Sequence, residues 1–166
     1  MNRVLRIIDR ISEYSGKGTS FLILLMLVLI CCETVLRYAF NSPTIWSGEL
    51  TSIVFGAYII LGGAYTLLVG GHVNMDIIHS RLSPRAKALI DVITFFFFLF
   101  FCVALLWKGW EGAMSALSTG ERTVSEWRPI IFPTKIILVI GTFLLFLQGL
   151  AKFVRDIQTV VKGRLS

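Results

Sequence analysis

Six charged side chains fall towards the outer ends of stretches that are otherwise apolar: Glu33, Arg37, Glu49, Lys108, Glu111 and Lys135. A charged group near the centre of a bilayer costs about 3 kcal/mol on insertion scales, so each needs a reason to be there. Glu33 and Arg37 stand four residues apart and share one helical face. Glu49 opens the next apolar run after a five-residue connector, which places it at about the depth of Arg37. The expectation is a Glu33–Arg37–Glu49 network, with Lys108, Glu111 and Lys135 as a second network at the outer face. Three acids and three bases at matched depths suit ion pairs that fix helix register. A substrate site or proton relay would instead leave an unpaired carboxylate near mid-membrane.

Other reactive types are sparse. His72, Asp76 and His79, in the connector GGHVNMDIIHSRLSPRAK, have spacings that a helix could turn towards a metal. No fourth ligand lies near, and Asp76 could equally cap backbone amides. Cys31, Cys32 and Cys102 sit in apolar runs, where cysteine behaves as a small hydrophobe, so neither a disulfide nor a metal site is expected. Haem held between helices would need His inside the bundle, and both His are in the polar connector. No nucleophile elbow, metal-ligand set or glycine-rich phosphate loop is present. The expectation is a chain that is not an enzyme and holds no cofactor.

The elements that must position these charges are helices. The 166 residues are 55% hydrophobic and 16% charged, too little charge to cover a water-facing surface. A span needs about 20 apolar residues, and four stretches qualify: about 19–40, 46–69, 88–117 and 130–154. The fold expected is all-α integral membrane, one domain over 1–166 with four transmembrane helices. Short flanks carry the direction. Arg3, Arg6, Arg10, Lys17, Arg81, Arg85, Lys87, Lys152, Arg155, Lys162 and Arg164 fall on one side, and only Arg122 and Arg128 on the other. Both termini and the middle connector are therefore expected in the cytoplasm. The net charge of +6 is read as this topology signal rather than as affinity for nucleic acid. Trp46, Trp107, Trp110 and Trp127 would then form an outer aromatic belt.

Residues 1–18 interleave charges with Val4, Ile7, Ile8, Ile11 and Tyr14 at helical spacing, unlike a cleaved signal. They are expected to form an amphipathic interfacial helix on the inner leaflet, hinged at Gly16 and Gly18, or else a disordered basic tail. Arg3, Arg6, Arg10 and Lys17 are its expected contacts to anionic phospholipid. On the second span, Glu49, Ser52, Gly56, Ile59, Gly63, Thr66 and Gly70 recur at three and four residues. In lipid, helices associate through small residues that let backbones approach, so Ser52, Gly56, Gly63, Thr66 and Gly70 are expected to form a helix-packing seam. Phe95 to Phe101 cover every direction of the third span and suit lipid or a broad apolar interface.

The stretch from Glu33 through Arg37-Tyr38-Ala39-Phe40-Asn41 to Trp46-Ser47-Gly48-Glu49 resembles the signature of the small membrane subunit of tripartite ATP-independent periplasmic (TRAP) transporters, the DctQ-like family. Gly71-His72-Val73-Asn74-Met75-Asp76, followed by Arg81-Leu82, is similar to that family's second landmark. Pro133, Lys135 and the run Leu145 to Gln148 are similar to its fourth-span pattern. Ser83-Pro84 departs from the Leu-Pro of many relatives. The resemblance covers essentially the whole chain, and its specificity lies in the ordered set.

The resemblance implies a bacterial inner-membrane system that imports organic acids on a sodium gradient without ATP. A periplasmic binding protein would deliver substrate to a large membrane subunit of about a dozen spans, which would hold the substrate and Na+ sites. The small subunit would enlarge and anchor that partner's static scaffold. Glu121, Arg122, Glu126 and Arg128 are the candidate contacts to the binding protein. The alternatives are a small proton-coupled exporter using Glu33, or an accessory subunit of another membrane complex.

Overall fold

The computed structural model describes residues 2–71 and 84–163. Four helices hold nearly all of them: α1 (Asn2–Tyr38), α2 (Ser47–Leu68), α3 (Pro84–Thr119) and α4 (Phe132–Gly163). Each contains a segment long and apolar enough to cross a bilayer: Arg3–Tyr38, Ser47–Leu68, Thr94–Thr119 and Phe132–Arg155. Among the described residues, β pairing is limited to one antiparallel bridge, Arg122 to Ile130, between α3 and α4. The middle connector's candidate residues His72, Asp76 and His79 lie outside the described residues.

The helices stand in a row rather than a closed ring. α2 packs between α1 and α4, and α4 packs between α2 and α3. Connectors 39–46 and 120–131 lie at one end of the row, where Ser125 reaches Glu49 in the first turn of α2. At the other end, the start of α1 reaches α4 near Arg155.

The packing is inverted relative to a water-soluble protein. Among the described residues the buried apolar ones are small: Val54, Ala64, Cys102, Ala113, Ala116 and Ala151. The large ones face outward, with Phe97 71% and Phe100 74% exposed. Lipid solvates Phe as well as a protein interior does, so helices gain by pressing small residues together. Three glycines mark the crossings. A Cβ on Gly16 would lie 2.3 Å from the Tyr65 ring, one on Gly141 2.9 Å from the Ile60 backbone, and one on Gly149 2.2 Å from the Phe98 ring. Lower in the α3–α4 contact, Phe95 stacks on Phe153 with ring centroids 3.8 Å apart.

The N-terminal segment differs from the expected hinged helix. α1 runs unbroken through Gly16 and Gly18 for 37 residues. At about 1.5 Å per residue that is about 55 Å, well beyond a hydrocarbon core of about 30 Å. Gly16 is explained by the Tyr65 ring that fills its Cβ position, so its small size serves close approach, not bending. α1 ends where Asn41 takes φ 50 and the Ser42 amide donates to the Leu36 carbonyl at 2.9 Å. Asn is among the few non-glycine residues that tolerate this left-handed closure.

Candidate functional site

At the connector end, Glu33 is held from two sides. The Arg37 guanidinium donates to Glu33 Oε1 through Nη2 at 2.7 Å and Nε at 3.2 Å. The Thr44 amide donates to Oε2 at 3.3 Å, and the Thr44 hydroxyl donates to the same oxygen. The helical spacing of four makes the pair, and the short connector brings Thr44 back over it. A cleft of about 300 Å³ lies alongside, lined by Glu33, Thr34, Arg37, Ser47 and Thr51 among others.

Glu49 takes no part in that pair. Its carboxylate accepts the Ser125 hydroxyl instead. Depth alone suggested the three-residue network, but azimuth decides. Ser47 and Thr51 line the cleft beside α1. Glu49 lies two residues from each, about 200° around the helix, and so points away from Arg37 and towards the 120–131 loop.

The second expected network also divides. Lys108 donates to Glu111 at 2.7 Å on the outward side of α3. Lys135 lies instead with its stem by Gly112 and its ammonium on Glu121, 2.7 Å away. Gly109 and Gly112 form the α4-facing side of α3; Glu111 is turned away from it, and Lys108, at its edge and 77% exposed, pairs with Glu111 rather than with α4.

The 120–131 loop is internally braced. The Thr123 amide donates to the Pro129 carbonyl at 3.1 Å, and the Ile131 amide to the Glu121 carbonyl at 3.0 Å. Arg122 Nη1 donates to the Arg128 carbonyl at 3.2 Å. The Ser125 hydroxyl also contacts Thr123 Oγ1 at 2.8 Å and receives the Arg128 amide at 3.2 Å. Arg128 itself has φ 51, a strained conformation for this residue type. Of the four candidate docking residues, Glu121 and Arg122 are thus engaged within the chain, and the Glu126 side chain is exposed.

The expected seam on α2 is only partly a crossing within the chain. Gly63 faces Leu145, 3.8 Å from its Cβ position. Gly56 has nothing within 4 Å. The Ser52 and Thr66 hydroxyls donate to their own helix, at Gly48 and Gly62, both at 3.0 Å. Gly70 ends α2 with φ 71. Arg3, Arg6, Arg10 and Lys17 are exposed on α1, with Lys17 paired to Glu13 at 2.7 Å.

Sequence reasoning missed a polar cluster at the opposite end. Ser12 Oγ donates to Gln148 Oε1 at 2.9 Å, and both residues are 1% exposed. Gln148 Nε2 donates to Asp9 Oδ1 at 3.2 Å. Arg155 Nη2 bridges both Asp9 oxygens, at 2.5 and 2.6 Å. A signal existed: Asp9, Ser12, Gly16 and Thr19 form a small or polar stripe at helical spacing, opposite Val4, Ile7 and Ile11. Gln148 is the one amide in the apolar run of α4.

Comparison with known proteins gives consistent findings. A model of the family described as "Tripartite ATP-independent periplasmic transporters, DctQ component" matches residues 26–159. A Haemophilus influenzae protein, provisionally named a TRAP transporter small permease protein, is 28% identical over 86 residues, 52% of this chain and 53% of that protein. The C4-dicarboxylate TRAP transporter small permease protein DctQ of Vibrio cholerae is 24% identical over 107 residues, 62% of this chain and 46% of that protein. The chain thus spans about half the length of the curated relatives it matches.

Proposed function

Because the chain belongs to the DctQ-component family of tripartite ATP-independent periplasmic transporters, we propose that it works as the small permease subunit that braces a larger membrane subunit. One observation carries this reading. Each of the six charges at the connector end of the apolar helices has a partner, and the helices stand in an open row. Charges already engaged within a helix or by the 39–46 and 120–131 connectors leave no unpaired group among them to bind cargo, and the row of described helices encloses no conduit. Engagement of Glu33 by Arg37 and Thr44 speaks against its use as the exchanging carboxylate of a proton-coupled exporter.

On this reading the row lies in the bacterial inner membrane with its termini in the cytoplasm, and the exposed apolar faces meet lipid and the partner. Sodium and the transported carboxylate are handled by the large subunit. The name of the Vibrio cholerae relative supports an organic acid as cargo. The braced 120–131 loop faces the periplasm and takes part in docking the binding protein. Arg3, Arg6, Arg10 and Lys17 meet anionic headgroups of the inner leaflet.

The test is affinity purification of the tagged chain from its native membrane. Co-purification of a polytopic protein of about a dozen spans is expected. Recovery of the chain alone, or with an enzyme, would contradict the reading.

A further inference from the structure

We propose that Asp9, Ser12, Gln148 and Arg155 form a latch that straps the N-terminal part of α1 to α4, so that α1 acts as one rigid helix. The latch is independent of the family reading and rests on three observations.

The first is burial joined to long range. The bonds link residues 136 to 146 apart, and Ser12 and Gln148 are each 1% exposed. Gln148 uses both ends of its amide, accepting from Ser12 and donating to Asp9. A buried amide with both ends engaged fixes its neighbours, because moving either strands a polar group away from water.

The second is position. Ile60 of α2 meets Gly141 of α4, and Gly63 meets Leu145. Carrying that register on puts Leu67 beside Gln148, at the end of α2. Beyond that point α1 has no α2 to lean on. Arg155, seven residues further, lies about 10 Å past it. The latch therefore sits where side support from α2 stops.

The third is what the segment would do unheld. Residues 2–15 make less than four turns, too short to persist as an isolated helix in water. Their outer side carries Val4, Ile7 and Ile11, 61%, 55% and 44% exposed. Freed from α4, this amphipathic segment would turn its apolar stripe onto the membrane surface. The latched and surface-bound arrangements compete, and Gln148 biases the first.

The test uses the full chain in lipid nanodiscs. Spin labels at the exposed positions 7 and 157 are expected to give one narrow distance distribution, and amides of residues 2–15 to exchange slowly. Gln148→Leu removes both amide bonds while keeping bulk. It should broaden the distribution and speed exchange of residues 2–15 by about tenfold, leaving exchange in α2 unchanged. Asp9→Arg should loosen the segment similarly, and adding Arg155→Asp should narrow the distribution again, since the Gln148 amide can reverse its donor and acceptor ends. A narrow distribution in both single variants would overturn the latch. So would a charge-reversed pair as loose as Asp9→Arg, with α2 protected throughout.

Discussion

At the connector end, two of the ionic contacts lie within a single helix. Glu33–Arg37 is four residues apart, Lys108–Glu111 three, and Lys108 and Glu111 are 77% and 60% exposed. At the termini end, Ser12 and Gln148 are buried, and the bonds join the two ends of the chain. Both ends carry polar groups in an apolar molecule, yet they solve different problems. The local pairs neutralise charge on a helix that would form anyway. The distant cluster ties α1 to α4, and removing Gln148 there leaves the buried Ser12 hydroxyl without its partner.

Several substitutions sharpen that contrast. Gly141→Leu sets a large side chain against the Ile60 backbone, already 2.9 Å from a bare Cβ. It should cost about 3 kcal/mol of stability in detergent unfolding. Gly56→Leu, on a surface with nothing within 4 Å, is the control and should change the isolated chain by less than about 0.5 kcal/mol. Gln148→Leu should cost about 2 kcal/mol, since it unpartners Ser12 and weakens the hold on Asp9. Ser125→Ala removes the hydroxyl that gathers Glu49, Thr123 and the Arg128 amide. It should cost about 1 kcal/mol and speed proteolysis within 120–131 while leaving the helices intact. Lys108→Ala breaks an exposed pair and should cost less than about 0.5 kcal/mol. If Lys108→Ala cost as much as Gln148→Leu, the distinction between the two ends would collapse.

Legibility in the sequence followed the same division. Length and hydropathy place four helices, because a bilayer demands about 20 apolar residues per crossing. Spacing finds Glu33–Arg37, because neighbours on one helix are set by its period. Depth could not find the partner of Glu49, since two helices at one level still have to face each other, and Glu49 faces the loop. Level likewise groups Lys135 with Lys108 and Glu111, but Glu121 reaches it from the loop. Glycine pattern pointed to a seam on α2, whereas tight crossings also rest on Gly16, Gly141 and Gly149, where a bulky neighbour occupies the missing side chain. Gly16 in a basic, interleaved segment suggested a hinge. Only the Tyr65 ring across from it reveals close packing. The Ser12–Gln148 bond depends on the whole chain turning back on itself, which no local period encodes.

The central claim is that charged groups in this chain are engaged by partners within the protein, on their own helix, a loop or a distant helix, and do not carry cargo. Uptake of a labelled dicarboxylate into liposomes under an inward sodium gradient tests it directly. The chain reconstituted alone should give no sodium-dependent uptake, and uptake should begin only when the large subunit and binding protein are added. Sodium-driven uptake by the isolated chain would contradict the account.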